Sequence, residues 1–182
     1  MSEAIDRYEL VAAGFDQGVR AVPADKWDAQ SPCEGWSARD VVAHVVRNHR
    51  SMAAAATGGE AQELGADEDP GRAWSDAYER MRSLSKDPDV LSKPVNGPGG
   101  PIPLEEALGS LVSMDTHIHT WDLARAVGGD ERLNPDVVRL AWEMLQPMDA
   151  MIRQPGVFGP KLDPPAEADE QTRLLYFLGR RA

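Results

Sequence analysis

A chain of 182 residues, 42% of them hydrophobic, is long enough to bury one sizeable core, and a single domain is the default expectation. The formal net charge of −11 argues against nucleic acid as a partner, because a phosphate-binding surface needs clustered Lys and Arg. No run approaches ~18 apolar residues, the acidic start MSEAIDRYELVAAG does not read as a secretory signal, and Cys33 is a lone cysteine; these predict no membrane partner and a cytoplasmic location.

Residues 3 to 22 place Ile5, Tyr8, Ala12, Phe15, Val19 and Val22 on one side at helical spacing, and Pro23 closes this first helix. The loop DAQSPCEGW leads to Ser37, an N-cap for a second helix, with Asp40 as the capping-box acid. That helix runs to about Thr57, where Gly58 and Gly59 supply a left-handed stop. The acidic, aperiodic EAQELGADEDPG reads as a surface loop. Asp69 and Pro70 open a third helix with Ala73, Ala77, Met81 and Leu84 on one face, ending near Asp87. The Pro- and Gly-rich VLSKPVNGPGGPIPLEE cannot be helical and predicts an extended loop or irregular hairpin. A fourth helix spans Leu104 to about Val127 and is ended by Gly128 and Gly129. Asn134 and Pro135 start a fifth, which Pro147 should kink or split. A Pro-rich loop, GVFGPKLDPPAEA, then precedes a short helix ending LLYFLGRR. The pattern is all-α: four long helices forming a bundle over residues 1–155, and a C-terminal loop and short helix over 156–182 packed on it.

The fourth helix carries an anomaly. At about 100° per residue, Leu104, Leu108, Leu111, Asp115, His119, Asp122 and Ala126 fall on one stripe, so three ionisable side chains interrupt an apolar face. Burying them unpartnered is costly, and a divalent metal is one arrangement that satisfies them. Asp115 and His119 are one helical turn apart and can reach one ion. His44, amid Val41, Val42, Val45 and Val46 on the second helix, is the expected third ligand. Two histidines and one carboxylate suit zinc, and also iron or nickel. Asp122, one turn past His119, is positioned to orient its ring, although an ion pair with Arg125 is an equal alternative. His49 in RNHR reads as solvated, and His117 as packed on the far side of its helix.

CEGWSARDVVAHVV, followed about seventy residues later by DTHIHTWDLARAVG, resembles the N-terminal metal-binding domain of mycothiol-dependent maleylpyruvate isomerases, within the DinB-like four-helix-bundle superfamily. The resemblance covers most of the chain and is strongest to short relatives described only as metal-binding proteins. It implies a DinB-like bundle with a divalent metal, zinc foremost, held by His44, Asp115 and His119 at one end. Asp115 stands where the isomerase has glutamate. The resemblance further implies mycothiol as co-substrate and a transferase or isomerase reaction on a small electrophile; a non-catalytic metal- or ligand-binding protein and a metal-dependent hydrolase are the alternatives. A purely structural bundle would need hydrogen bonds alone to satisfy the polar stripe.

The remaining features have plainer readings. Cys33 is expected as a small loop residue, and Trp36 and Trp121, which flank the ligand-bearing segments, as packing residues with a pocket-lining alternative. Arg125 is placed either at a substrate carboxylate or in a surface ion pair. NGPGG lacks the Lys-Ser/Thr of a phosphate loop and is turn chemistry. Apolar faces on such bundles often dimerise, so a homodimer and a monomer both stay open.

Overall fold

The computed structural model describes residues 2–153 and 158–182. They form two compact units, Met1–Glu131 and Arg132–Ala182. The partition expected at 155/156 falls in a segment outside the described residues.

The first unit is a four-helix bundle. Helix α1 (Glu3–Arg20) is capped by Ser2 and buries Ile5, Tyr8, Ala12, Phe15 and Val19, the face its spacing predicts. Helix α2 (Ala38–Thr57) begins at a full capping box, in which Ser37 Oγ accepts from the Asp40 amide while Asp40 Oδ2 accepts from the Ser37 amide at 2.8 Å. It stops at Gly58, whose φ of 76° lies in the left-handed region where a side chain would be strained. Asp69 caps α3 (Pro70–Leu84), accepting from the Arg72 amide at 2.7 Å. After the short α4 (Pro88–Leu91), the proline-rich stretch forms a two-stranded antiparallel hairpin, β1 (Pro94–Gly97) with β2 (Gly100–Pro103), pairing Val95 with Ile102.

The fourth long helix is continuous but not uniformly α. Between α5 (Leu104–Ala107) and α6 (Ser113–Val127) lies a π-helical turn, Leu108–Val112. The carbonyls it releases are satisfied locally and from afar. Ser113 Oγ donates to the Leu108 carbonyl at 2.6 Å, and Arg7 of α1 donates to the Gly109 carbonyl at 2.7 Å. Gly109 is required here, since a Cβ on it would lie 2.5 Å from Ala4 Cβ. A π-turn adds one residue to the helical circuit and offsets the succeeding residues by roughly 100°. Val112 therefore occupies the core position, while Leu111, placed on the buried stripe by an unbroken α-period, is only half-buried.

In the bundle α1 packs against α6 and α3, and α2 against α3 and α6. The centre is aromatic: Phe15 meets the Trp74 ring edge-on at 4.7 Å, and Trp74 stacks on Tyr78 at 5.3 Å. His49 belongs to this core. Contrary to the solvated position expected from its charged neighbours, it is 1% exposed and packs against Tyr8 and Trp74. At 3.6 residues per turn it shares a face with Val42, Val45, Val46 and Ala53, and that periodicity outweighs the flanking Asn48 and Arg50.

The second unit contains α7 (Pro135–Leu145), which Asn134 caps by accepting from the amides of Asp136 and Val137. Pro147 splits this segment as expected, with a 3₁₀ turn over Gln146–Met148 and α8 (Asp149–Ile152) beyond it. Helix α9 (Glu170–Phe177), capped by Asp169, packs against α7, with Trp142 edge-on to Phe177 at 5.3 Å. No helix among the described residues is long and apolar enough to cross a membrane.

Candidate metal centre

Helices α2 and α6 bring His44, Asp115 and His119 together. Asp115 Oδ1 lies 3.1 Å from His44 Nε2 and 3.6 Å from His119 Nε2, and the three donor atoms lie within 4.8 Å of one another. Metal–ligand lengths of ~2.0–2.2 Å place tetrahedral donors about 3.3–3.6 Å apart, so the two separations from Asp115 come within a few tenths of an ångström of what a small divalent ion needs. The aspartate is long enough to reach both imidazoles. Side-chain exposure rises from 8% at His119 to 18% at His44 and 28% at Asp115, so the cluster is backed by core yet reachable from solvent.

Each donor has polar neighbours. Asn48 Nδ2 donates to Asp115 Oδ2 at 2.9 Å, and Arg47 Nη2 donates to His44 Nδ1 at 2.9 Å. On the opposite side, His119 Nδ1 donates to Asp122 Oδ2 at 2.9 Å, and Cys33 Sγ lies 3.4 Å from the same oxygen. Asp122 is fully buried, and its partner is His119 rather than Arg125. With its Nδ1 proton held there, the ring of His119 aims Nε2 at Asp115.

The electrostatics call for a positive charge. Burial disfavours the imidazolium of His119, but the charge of Asp115 and the hydrogen bonds to Asp122 and Cys33 outweigh it and raise its pKa. Burial likewise opposes ionisation of Asp115, yet the nearby His119 charge and the hydrogen bonds from His44 and Asn48 hold its carboxyl well below the ordinary carboxylate range. A cation between the carboxylates, proton or metal, answers the same demand.

Trp36 forms one wall. Its ring stacks on His119 at 5.8 Å and 23°, and meets His44 at 5.1 Å, so it packs on the donors themselves at the edge of the core. Beside it opens a cavity of about 360 Å³ lined by Trp36, Asp40, His44, Arg47, Glu63 and Leu64. Trp121, by contrast, is fully buried, and Arg125 lies over its ring at 5.8 Å while pairing with Glu131 at 3.0 Å. Neither of these two lines the cavity.

Sequence reasoning did not single out Asn48, Arg47 or the contact of Cys33. Asn48 carried a usable signal, being one turn beyond His44 on an apolar helix. Cys33 carried none, since its contact with Asp122 spans 89 residues.

A family model described as the mycothiol maleylpyruvate isomerase N-terminal domain matches residues 8–124, which include every donor described above. The chain belongs to this family. Uncharacterized proteins from two strains of Mycobacterium tuberculosis are each 30% identical to it over 170 residues, covering 87% of either chain. Two crystal structures of a mycothiol-dependent maleylpyruvate isomerase share the fold. One, of a histidine-to-alanine variant, matches with a TM-score of 0.63 at 19% identity over 85% of this chain and 73% of that one. The other matches with a TM-score of 0.59 at 20% identity, covering 84% and 69%.

Proposed function

We propose that the protein binds one divalent metal ion, zinc foremost, through His44, Asp115 and His119, and uses it with mycothiol in a transfer or isomerisation reaction on a small electrophile. The observation that carries this reading is the convergence of two imidazole nitrogens and a carboxylate oxygen within 4.8 Å, next to a cavity, in a chain of the mycothiol maleylpyruvate isomerase N-terminal family. A divalent ion in such a donor set supplies Lewis acidity that lowers the pKa of a thiol and makes it a nucleophile near neutral pH.

The chain's own residues do the rest. Three protein donors leave room for an exogenous ligand, as catalytic metal sites require. Asp122 keeps the His119 ring in one tautomer, and Asn48 holds the second oxygen of Asp115, so the first ligands do not have to be organised during reaction. Trp36 shields the imidazoles on one face and leaves the cavity side open to a small molecule. Arg47 places a cation at that opening, suited to an anionic group on the substrate.

The test is turnover. Zinc-loaded protein is incubated with mycothiol and a panel of electrophiles that includes maleylpyruvate. Product formation that requires both metal and thiol, and that His44→Ala abolishes, is the expected result. Metal binding without thiol-dependent turnover of any member would make the protein a binding protein instead, and turnover by water alone would make it a hydrolase.

A further inference from the structure

His119 presents its two ring nitrogens to two different donor sets. Nε2 faces Asp115 and His44, whereas Nδ1 faces Asp122, on which Cys33 Sγ also converges. One donor atom from each of Cys33, His119 and Asp122 lies within 4.8 Å of the others, and both His119 and Asp122 are more than nine-tenths buried. This second cluster joins a loop residue to a helix across the bundle end. In the proposed function Asp122 merely orients the imidazole, and Cys33 has no part.

We propose that Cys33, His119 and Asp122 form a second metal site, selective for thiophilic divalent ions and exclusive of the first because both draw on the His119 ring. The exclusivity, though not the site itself, rests on His44, Asp115 and His119 being the first ligand set. Geometry favours it. Bonds of ~2.3 Å to sulfur and ~2.0–2.2 Å to nitrogen and oxygen put tetrahedral donors about 3.3–3.7 Å apart. The separation of 3.4 Å between Cys33 Sγ and Asp122 Oδ2 fits, and the 2.9 Å between Asp122 Oδ2 and His119 Nδ1 opens by about half an ångström to match.

Charge favours it too. In the hydrogen-bonded cluster the Asp122 carboxylate accepts from Nδ1 and faces the thiol. A divalent ion takes the place of these protons: the S–H and Nδ1–H bonds break, metal–sulfur and metal–nitrogen bonds form, and both protons leave to solvent, the ring keeping or regaining one on Nε2. The thiolate and the Asp122 carboxylate then neutralise the ion, so no net charge is buried. Binding through Nδ1 of a neutral imidazole leaves the ring proton on Nε2, toward Asp115, and takes that nitrogen out of the first set. The sulfur makes the second site the softer of the two, since thiolate selects soft ions where two nitrogens and one oxygen do not.

Cadmium is the probe. Full-length protein is titrated with Cd²⁺ while the thiolate-to-metal charge-transfer absorption in the near ultraviolet is followed, for wild type, His44→Ala, Asp122→Asn and Cys33→Ser, with circular dichroism confirming the fold of each. Wild type and His44→Ala should develop the same band, saturating at one ion per chain. Asp122→Asn should weaken binding by about tenfold or more, as loss of a ligand or its support does, and Cys33→Ser should show no band. Absence of the band from wild type, or a band whose affinity Asp122→Asn leaves unchanged, would overturn the site by reducing it to a solitary thiol. Loss of the band in His44→Ala would instead assign the sulfur to the first set, and two ions per wild-type chain would overturn exclusivity. Should His44→Ala leave zinc uptake untouched, the first ligand set fails while the cadmium result still decides the second.

Discussion

An imidazole sealed in an apolar core keeps its proton less readily than one in water. His49 donates its Nδ1–H to the Val45 carbonyl at 2.9 Å, its Nε2 has no partner among the described residues, and burial lowers its pKa to about 4 despite the bond to Val45. In the unfolded chain a histidine titrates near ~6.5, so between these values the unfolded state binds the extra proton. The stability this residue contributes is therefore fully present above pH ~6.5 and is lost as pH falls toward 4, with about 2 kcal/mol gone by pH 5. Urea denaturation at pH 7 and pH 5 checks this: His49→Phe should remove most of that pH dependence, and an unchanged difference would acquit His49. Arg47 carries a second residue-scale prediction. A guanidinium only donates, so its bond to His44 Nδ1 favours the ring proton on Nε2, where a metal would bind, against the Asn48 amide that lies 3.0 Å from that nitrogen. Ligation would turn Nδ1–H against the Arg47 donor. Arg47→Met should accordingly tighten zinc binding by roughly fivefold, about one hydrogen bond's net worth, in a chelator competition; weaker binding would mean that Arg47 supports the ligating state. His49 and Arg47 also mark what their own neighbourhood conceals. RNHR looks solvated as a string, and only the wider spacing with Val42, Val45 and Ala53 shows that its histidine points inward.

At the scale of elements, helix ends are set by local chemistry and were legible for that reason. Ser37 with Asp40, Asp69 with Pro70, Asn134 with Pro135, and the glycines at 58 and 128 each act within a turn of their own position. The π-turn was not legible, because its cause is tertiary. LGSLV has no local mark of it; the turn is held by the approach of Gly109 to Ala4 and by Arg7 reaching the Gly109 carbonyl. It also shifts the register of α6, which is why Leu111 yields its core position to Val112 while Asp115 still meets α2. Gly109→Ala should cost about 1–3 kcal/mol through overpacking, lowering Tm by several degrees for a chain of this size. Ala4→Gly in the same chain should recover part of that loss, because Ala4 Cα would remain 2.7 Å from the new methyl. No change in Tm on Gly109→Ala would show that the turn has slack which the close approach denies.

For the whole molecule, every donor of both clusters lies in the unit Met1–Glu131, together with the aromatic core. A chain ending at residue 131 should fold, by circular dichroism, and keep its zinc stoichiometry; loss of metal with retained helicity would give the second unit a part in the site. The convergence of these three side chains was legible because helical spacing and burial make Asp115, His119 and His44 anomalous, and the flanking sequence blocks tie them to one family. Their supporting contacts were not, since Cys33 with Asp122 and Asn48 with Asp115 are partners only once the bundle closes. We have proposed that His44, Asp115 and His119 hold one metal ion. Calorimetric titration of chelator-stripped protein with zinc tests it most directly, in a Cys33→Ser background so that sulfur does not contribute. One equivalent per chain is predicted, weakened about 100-fold or more by either His44→Ala or Asp115→Asn. No binding, or binding that both substitutions leave intact, would contradict it.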